Sequence, residues 1–231
     1  MSSKQKSAGK ELEVDVILSK SEQFIEKFKK PIFYGIVAVA VIIGAYLAFH
    51  YGYALPQNKK AEVALFKGEQ YFARDSFKLA LNGNGADYIG FEEIISSYRG
   101  TNAANLAKAY AGICYFRLGE TDKAEDLLKS FSGNDKTISP AIVGLIGDCY
   151  VNSGKTEEGI SYFKKAASRA DNDIVSPIYL KKAGIAYESL KQYNEAIKAY
   201  TTIKEKYSAS MEAGDIDKYI SRAEIRSNTA N

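Results

Sequence analysis

"AIVGLIGDCYVNSGKTEEGISYFKKA", residues 141–166, is the middle of three stretches that can be laid over one another. The others are "LAKAYAGICYFRLGETDKAEDLLKSF" at 106–131 and "IYLKKAGIAYESLKQYNEAIKAYTTI" at 178–203. Gly112, Gly147 and Gly184 are spaced by 35 and 37 residues, and so are Tyr115, Tyr150 and Tyr187, and Leu128, Phe163 and Tyr200. Within each stretch the apolar residues recur at helical spacing on both sides of a short break. Gly119 and Gly154 mark that break in the first two stretches, and Lys191 stands there in the third. Each unit therefore reads as helix, turn, helix. Ser139-Pro140 and Ser176-Pro177 are expected to supply an N-cap and a first-turn proline for the helix that follows.

This pattern resembles the tetratricopeptide repeat, in which a small residue sits where paired helices approach most closely, with a Tyr three residues on and a later Ala. Those positions are held here by Gly112, Gly147 and Gly184, then by Ala124, Gly159 and Ala196; Lys108, Val143 and Leu180 replace the usual Trp. The resemblance implies a tetratricopeptide-like helical solenoid with a concave groove; with the N-terminal apolar run, read below as a single transmembrane helix, the chain is expected to be all-α. Carried over, the groove would be lined by Phe116 and Arg117, by Asp148, Val151 and Asn152, and by Lys181, Ile185 and Glu188. Mixed aromatic and charged groups along a curved face suit an extended or helical peptide. Ile113 and Ile185 lie where a clamp for a C-terminal carboxylate would need Asn, so that mode is not expected.

Upstream, "AEVALFKGEQYFARDSFKLAL" reads as one long helix, and "GFEEIISSYRG" as the second helix of a degenerate unit, with Gly83, Gly85 and Gly90 breaking the chain between them. Downstream, Met211 to Arg226 reads as a capping helix, which a solenoid end requires. Cys114 and Cys149 occupy the same position in successive units, where stacked repeats hold equivalent points about 10 Å apart, beyond the roughly 7 Å limit for a disulfide. Two buried, unpaired thiols are expected.

Before the repeats lies "IFYGIVAVAVIIGAYLAF", Ile32–Phe49, with no charge, and the uncharged run continues to Asn58. A helix from Ile32 to Leu55 would be roughly 36 Å long, enough to cross a hydrocarbon core of about 30 Å. Aromatic residues flank the run, where amphipathic rings lodge at headgroup level. Ala40, Gly44, Ala48 and Gly52 recur every four residues and are candidates for packing against another membrane helix. A cleaved leader is the competing reading, but the thirty residues ahead of the run include five acidic ones, unlike a short basic n-region. The expected layout is a tail at 1–30, a transmembrane helix at 31–55 and a repeat domain at 56–231.

The tail carries Val14, Ile17, Leu18, Phe24, Ile25 and Phe28 at helical spacing, an amphipathic helix suited to resting on headgroups or meeting a partner. Its seven Lys make it net positive, whereas the chain from Lys59 onward holds 24 basic and 23 acidic residues. A short Lys-bearing tail is the part whose charge orients insertion, so the tail is expected inside and the long domain outside. A nearly neutral domain has no electrostatic footprint for nucleic acid.

Gly154-Lys155-Thr156 matches the end of a phosphate-binding loop, but Cys149 stands where that loop needs Gly and no strand precedes it, so no nucleotide is expected. His50 is the only histidine and sits at the edge of the apolar run, which leaves the repeat domain without a Ser/His or Cys/His nucleophile pair or a His-containing metal site. The expectation is a non-enzyme without cofactor, whose partners are proteins.

The whole layout resembles the ancillary subunits of the bacterial Sec translocon of the YfgM type: a short tail ending in "EQFIEKFKK", one anchor, a degenerate unit, recognisable repeats and a capping helix. The resemblance implies an inner-membrane, single-pass protein with a cytoplasmic N-terminus. Its repeats would lie in the periplasm among the translocon, periplasmic chaperones and exported polypeptides. A scaffold of an envelope complex, or a cytoplasm-facing regulator of an inner-membrane enzyme, is the alternative.

Overall fold

The computed structural model describes residues 28–230, and among them every regular element is helical. The amphipathic helix expected in the tail falls almost wholly outside them. The chain divides into two compact units, one up to Pro56 and one from Gln57.

The first unit is the apolar part of helix α1, Phe28–Phe72, which passes through a π-helical turn at His50–Ala54. This helix is long and apolar enough to cross a membrane, and the side chains of its apolar window are not covered by protein. Apart from the helix's own nearby backbone, no atom lies within 4 Å of where a Cβ would stand on Gly44 or Gly52, and Ala40 and Ala48 on the same face are exposed.

In the second unit the helices pack in sequence order, each against its neighbours. The rest of α1 is followed by α2 (Phe77–Asn82), α3 (Phe91–Ser97), α4 (Asn102–Arg117) and α5 (Thr121–Ser130). Then come α6 (Ile138–Asn152), α7 (Thr156–Ala170), α8 (Ser176–Ser189), α9 (Tyr193–Lys206), a 3₁₀ turn at Glu212–Asp215 and α10 (Ile216–Ala230). The pairs α4/α5, α6/α7 and α8/α9 are the three repeat units, and α10 closes the stack. Such a nearest-neighbour stack is a solenoid.

The repeat's small residue has a visible reason. A Cβ on Gly112 would stand 2.6 Å from Leu128, one on Gly147 2.7 Å from Phe163, and one on Gly184 2.2 Å from the Tyr200 ring. Only glycine lets the second helix lay its large side chain against the first helix's backbone. The turns share one geometry as well. Glu120, Lys155 and Gln192 donate backbone N–H to the carbonyls of Tyr115, Tyr150 and Tyr187, each across a residue of positive φ: Gly119, Gly154 and Lys191. This is the Schellman ending of a helix.

The same features correct the reading of 61–81 as one helix. The Ser76 amide donates to the Tyr71 carbonyl across Asp75, which has φ 55°, so α1 ends at Phe72 and α2 begins at Phe77. Gly68, Tyr71 and Ala80 thus occupy the positions of Gly112, Tyr115 and Ala124, and a Cβ on Gly68 would stand 2.3 Å from Phe91. A full first unit is present, its second helix split into α2 and α3 by the loop 83–90. That loop folds on Asn84, whose Oδ1 accepts from the amides of Ala86, Asp87 and Tyr88, while Tyr88 donates its hydroxyl to the Ala80 carbonyl at 2.7 Å.

The expected Ser N-caps are also corrected. Ser139 lies inside the first turn of α6, and the capping acceptor is Asp135, which takes the amides of Thr137, Ile138 and Ser139 and the Ser139 hydroxyl. Asn172 does the same for Ile174 and Val175 ahead of α8. In both, a loop side chain satisfies the orphan amides, leaving the buried Ser to tie the helix start inward: Ser176 donates to the Ala167 carbonyl at 2.8 Å. Cys114 and Cys149 are buried and free of any disulfide, as their spacing indicated.

Candidate polypeptide-binding groove

The residues expected to line a groove come from the first helix of each unit. On α4, Phe116 is half-buried against the core while Arg117 is exposed. On α6, Asp148 and Val151 are half-buried and Asn152 is exposed. On α8, Ile185 is 47% exposed, a large aliphatic side chain turned to water.

Three of these meet. Asp148, Val151 and Ile185 line one pocket of about 240 Å³ together with Phe163, Lys182 and Ala186. Its floor is apolar and its rim is an ion pair: the Lys182 ammonium donates to the two oxygens of Asp148 at 2.6 and 2.8 Å. The Lys182 nitrogen also stands 5.7 Å from the ring centres of Phe163 and Tyr179, so its stem covers aromatic surface while its head stays polar. Tyr179 beneath is pushed up to about 12, first by burial and then by the charge of Asp148, and remains a neutral hydroxyl donating to the Ala141 carbonyl at 3.1 Å.

Lys181 and Glu188 are not free groove residues. Lys181 pairs with Asp215 at 2.7 Å and lies 4.3 Å from the Tyr219 ring centre. Glu188 is 7% exposed and accepts from Tyr200, Arg222 and Arg226. Burial works against its charge, but the hydrogen bonds from Arg222 and Tyr200 and the two guanidinium charges hold its carboxyl below the usual range. The cause is the closing turn and helix α10, whose side chains occupy that end of the stack. Phe116, Arg117 and Asn152 lie outside the pocket lining.

The residues that sequence reasoning missed are Lys182, Phe163, Ala186 and Ser189. One signal pointed to Lys182: Asp148–Lys182, Lys181–Asp215 and Glu188–Arg222 each join opposite charges 34 residues apart, one repeat along the chain. Among the described residues no group of three or more His, Cys, Asp or Glu is placed to hold a metal ion.

Comparison with known proteins agrees with the repeat fold. Two family models described as tetratricopeptide repeat match residues 141–173 and 180–210. No curated protein sequence matches the chain. Two crystal structures of nearly identical TPR-like repeats from a kinesin-light-chain-type protein of Podosopora anserina, one of them carrying a single substitution, are similar in fold. The substituted form has a TM-score of 0.55 at 11% identity, covering 74% of this chain and 88% of its own. The other has a TM-score of 0.56 at 12% identity, covering 74% and 89%. The chain therefore carries tetratricopeptide repeats in a tetratricopeptide-like solenoid, a scaffold for protein–protein interaction.

Proposed function

We propose that the protein is a membrane-anchored adaptor whose repeats lie in the periplasm and grip polypeptide, as an ancillary component of the Sec translocon of the YfgM type. The observation that carries the polypeptide reading is the pocket around Ile185. An exposed aliphatic side chain, an apolar floor and the Asp148–Lys182 pair at the rim offer one apolar residue of a bound segment a seat and its backbone polar partners. The long apolar helix supports the anchor. The Lys-bearing tail and the length of the domain support a cytoplasmic tail and an exported domain. A tether confines the groove to the neighbourhood of the membrane, so weak contacts with an emerging chain gain effective concentration.

A photo-crosslinking residue at Val151 or Ile185 in living cells tests this. Exported polypeptides or a periplasmic chaperone in the adducts support it, and adducts with lipid alone sink it. Protease added to intact spheroplasts should digest the repeats; digestion only after lysis would place them in the cytoplasm. The engagement of Lys181 and Glu188 by the closing elements leaves a short groove, which favours a second reading, an adaptor holding one fixed partner. A single stoichiometric adduct would select it.

A further inference from the structure

The later units reach back to the unit before them from fixed positions on their first helix. Five residues before the seam glycine, Tyr179 donates its hydroxyl to the Ala141 carbonyl on α6. Two residues before it, Tyr110 stacks on Phe91 and meets Phe72 edge-on, and Lys182 bonds to Asp148. In the first unit, whose glycine is Gly68, those positions are Val63 and Phe66. No repeat unit precedes them among the described residues, and they are 63% and 60% exposed.

The rest of that face has changed character. Where the later units bury Ala111, Ile146 and Ala183, the first has Lys67, and where they bury Cys114, Cys149 and Ala186 it has exposed Gln70. Another repeat, which stacks through a broad apolar face, does not fit such a surface. What remains is a line of exposed residues, Val63, Phe66, Gln70 and Ala73, at spacings of three, four and three. It runs along the side of α1 away from Ala61, Leu65 and Gly68, which are buried in the core. That spacing is the narrow seam of a two-stranded coiled coil, in which a polar residue such as Gln70 fixes the register. Lys59, next in line toward the anchor, ends the seam.

Charge decides which helix fits the seam. The positions flanking it are basic on one side, Lys60, Lys67 and Arg74, and acidic on the other, Glu62 and Glu69. In a parallel pair the acidic flank of each helix faces the basic flank of the other, five residues further on. Glu62 then meets the partner's Lys67, and Glu69 the partner's Arg74. In an antiparallel pair like flanks meet and repel. The face is therefore complementary to itself in one direction only, and self-complementarity is what a two-fold interface requires. Copies anchored in one membrane leave it in the same direction, which is the parallel one. Lys67 donates to the carbonyl and the carboxylate of Asp87 in its own chain, which leaves it a third hydrogen. Glu69 accepts from Tyr110 and keeps further lone pairs.

We propose that the first helix of the repeat domain pairs in parallel with that of a second copy of this chain, Val63, Phe66 and Gln70 packing on their counterparts, with Glu62 against the partner's Lys67. The shared direction rests on the anchored reading above. The seam is short, and confinement to one membrane raises the effective concentration of the two copies. A pair carries two grooves, which hold a client segment more tightly than one.

Oxidative crosslinking of the full chain, in the membranes of cells that make it, provides the test. A single cysteine is added at Gln70→Cys, or at Ser153→Cys in the turn between α6 and α7. Cys114 and Cys149 are buried, and the chain without an added cysteine is the blank. Gln70→Cys should give a disulfide-linked pair at a yield several-fold above that of Ser153→Cys. Adding Phe66→Ser or Glu62→Lys, each with helical circular dichroism retained, should cut that yield several-fold. Co-expressing Glu62→Lys copies with Lys67→Glu copies should restore it, because only the mixed pair sets opposite charges against each other on both flanks.

Membranes that retain the chain after an alkaline wash, yet yield no more crosslink at 70 than at 153, overturn the pairing and leave the anchor standing. A crosslink at 70 that Phe66→Ser and Glu62→Lys leave unchanged also overturns it, since the contact is then made elsewhere. Adducts of residue 70 with a different protein, in place of the linked pair, overturn it in favour of that occupant. A chain washed out at alkaline pH overturns the anchored reading and, with it, the shared direction.

Discussion

Glu188 on α8 and Arg222 on α10 are joined by two hydrogen bonds, from Nε to Oε2 at 3.0 Å and from Nη2 to Oε1 at 2.6 Å. Arg226 adds a third at 3.0 Å, and the buried Tyr200 hydroxyl a fourth at 2.8 Å. The guanidiniums are partly in water, while the Glu188 side chain is 4% exposed. The carboxylate is therefore the element that cannot be removed without leaving buried groups unpaired.

Glu188→Ala is expected to destabilise the C-terminal end by about 2–3 kcal/mol, below the full cost of breaking a buried ion pair because both arginines can turn to water. Hydrogen exchange should rise first across 216–230, the capping helix, with the units before α8 less affected. Uniform loss of protection along the whole domain would contradict this assignment.

Gly184→Ala should cost about 1–3 kcal/mol through overpacking, and more than Gly112→Ala. The Tyr200 ring that a new Cβ would meet is fully buried and fixed by its bond to Glu188, whereas Leu128 beside Gly112 can change rotamer. Urea denaturation of the two variants side by side checks the ranking.

Lys191 holds the left-handed turn position, φ 58°, that Gly119 and Gly154 fill in the other units. A side chain there costs roughly 1–2 kcal/mol, partly balanced by the extra entropy that glycine loses on folding. Lys191→Gly should accordingly raise stability by about 0.5–1 kcal/mol, and a fall in the denaturation midpoint would disprove it.

Asp135 is held down at about 2, first by the Ser139 hydroxyl, then by the Thr137, Ile138 and Ser139 amides, against the opposing effect of burial. A carboxyl depressed on folding contributes its stability in full above its unfolded value near 3.8 and loses it as pH falls toward 2. Stability of the wild-type chain should thus drop between about pH 4 and pH 2 more steeply than that of Asp135→Asn, which keeps an acceptor without the titration. Identical acid limbs for the two proteins would refute the role.

Ile185→Glu places a charge on the apolar floor beside Asp148. Loss of one aliphatic contact is worth about 1.4 kcal/mol or more, about tenfold in binding. Crosslinking from Val151 to polypeptide should fall by about that factor with helicity unchanged; an undiminished yield would remove the pocket from the binding surface.

The repeat was legible because its determinants are local and periodic. A glycine every 35 or 37 residues, a Tyr three positions later and a turn residue beyond follow from the packing of adjacent helices, so they recur wherever that packing recurs. The first unit escaped for a related reason. Its loop at 83–90 moved the large partner of Gly68 from its usual offset to Phe91, and Asp75 in place of glycine hid the turn. Gly90 has φ 92° and lies against the Leu81 carbonyl, where a Cβ would stand 2.3 Å away; read alone, it marked only a break in the chain.

By itself, then, the sequence determined the helical class, the three later repeat units, the membrane-length apolar helix and the two buried thiols, since each depends on composition or on spacing within a unit. Tertiary structure alone decided which charged side chains are spent: Lys181 and Glu188 on the capping elements, and Lys182 on Asp148. The physical reason is that an ion pair's value depends on distance and solvent exposure, and both are set when one repeat is laid on the next.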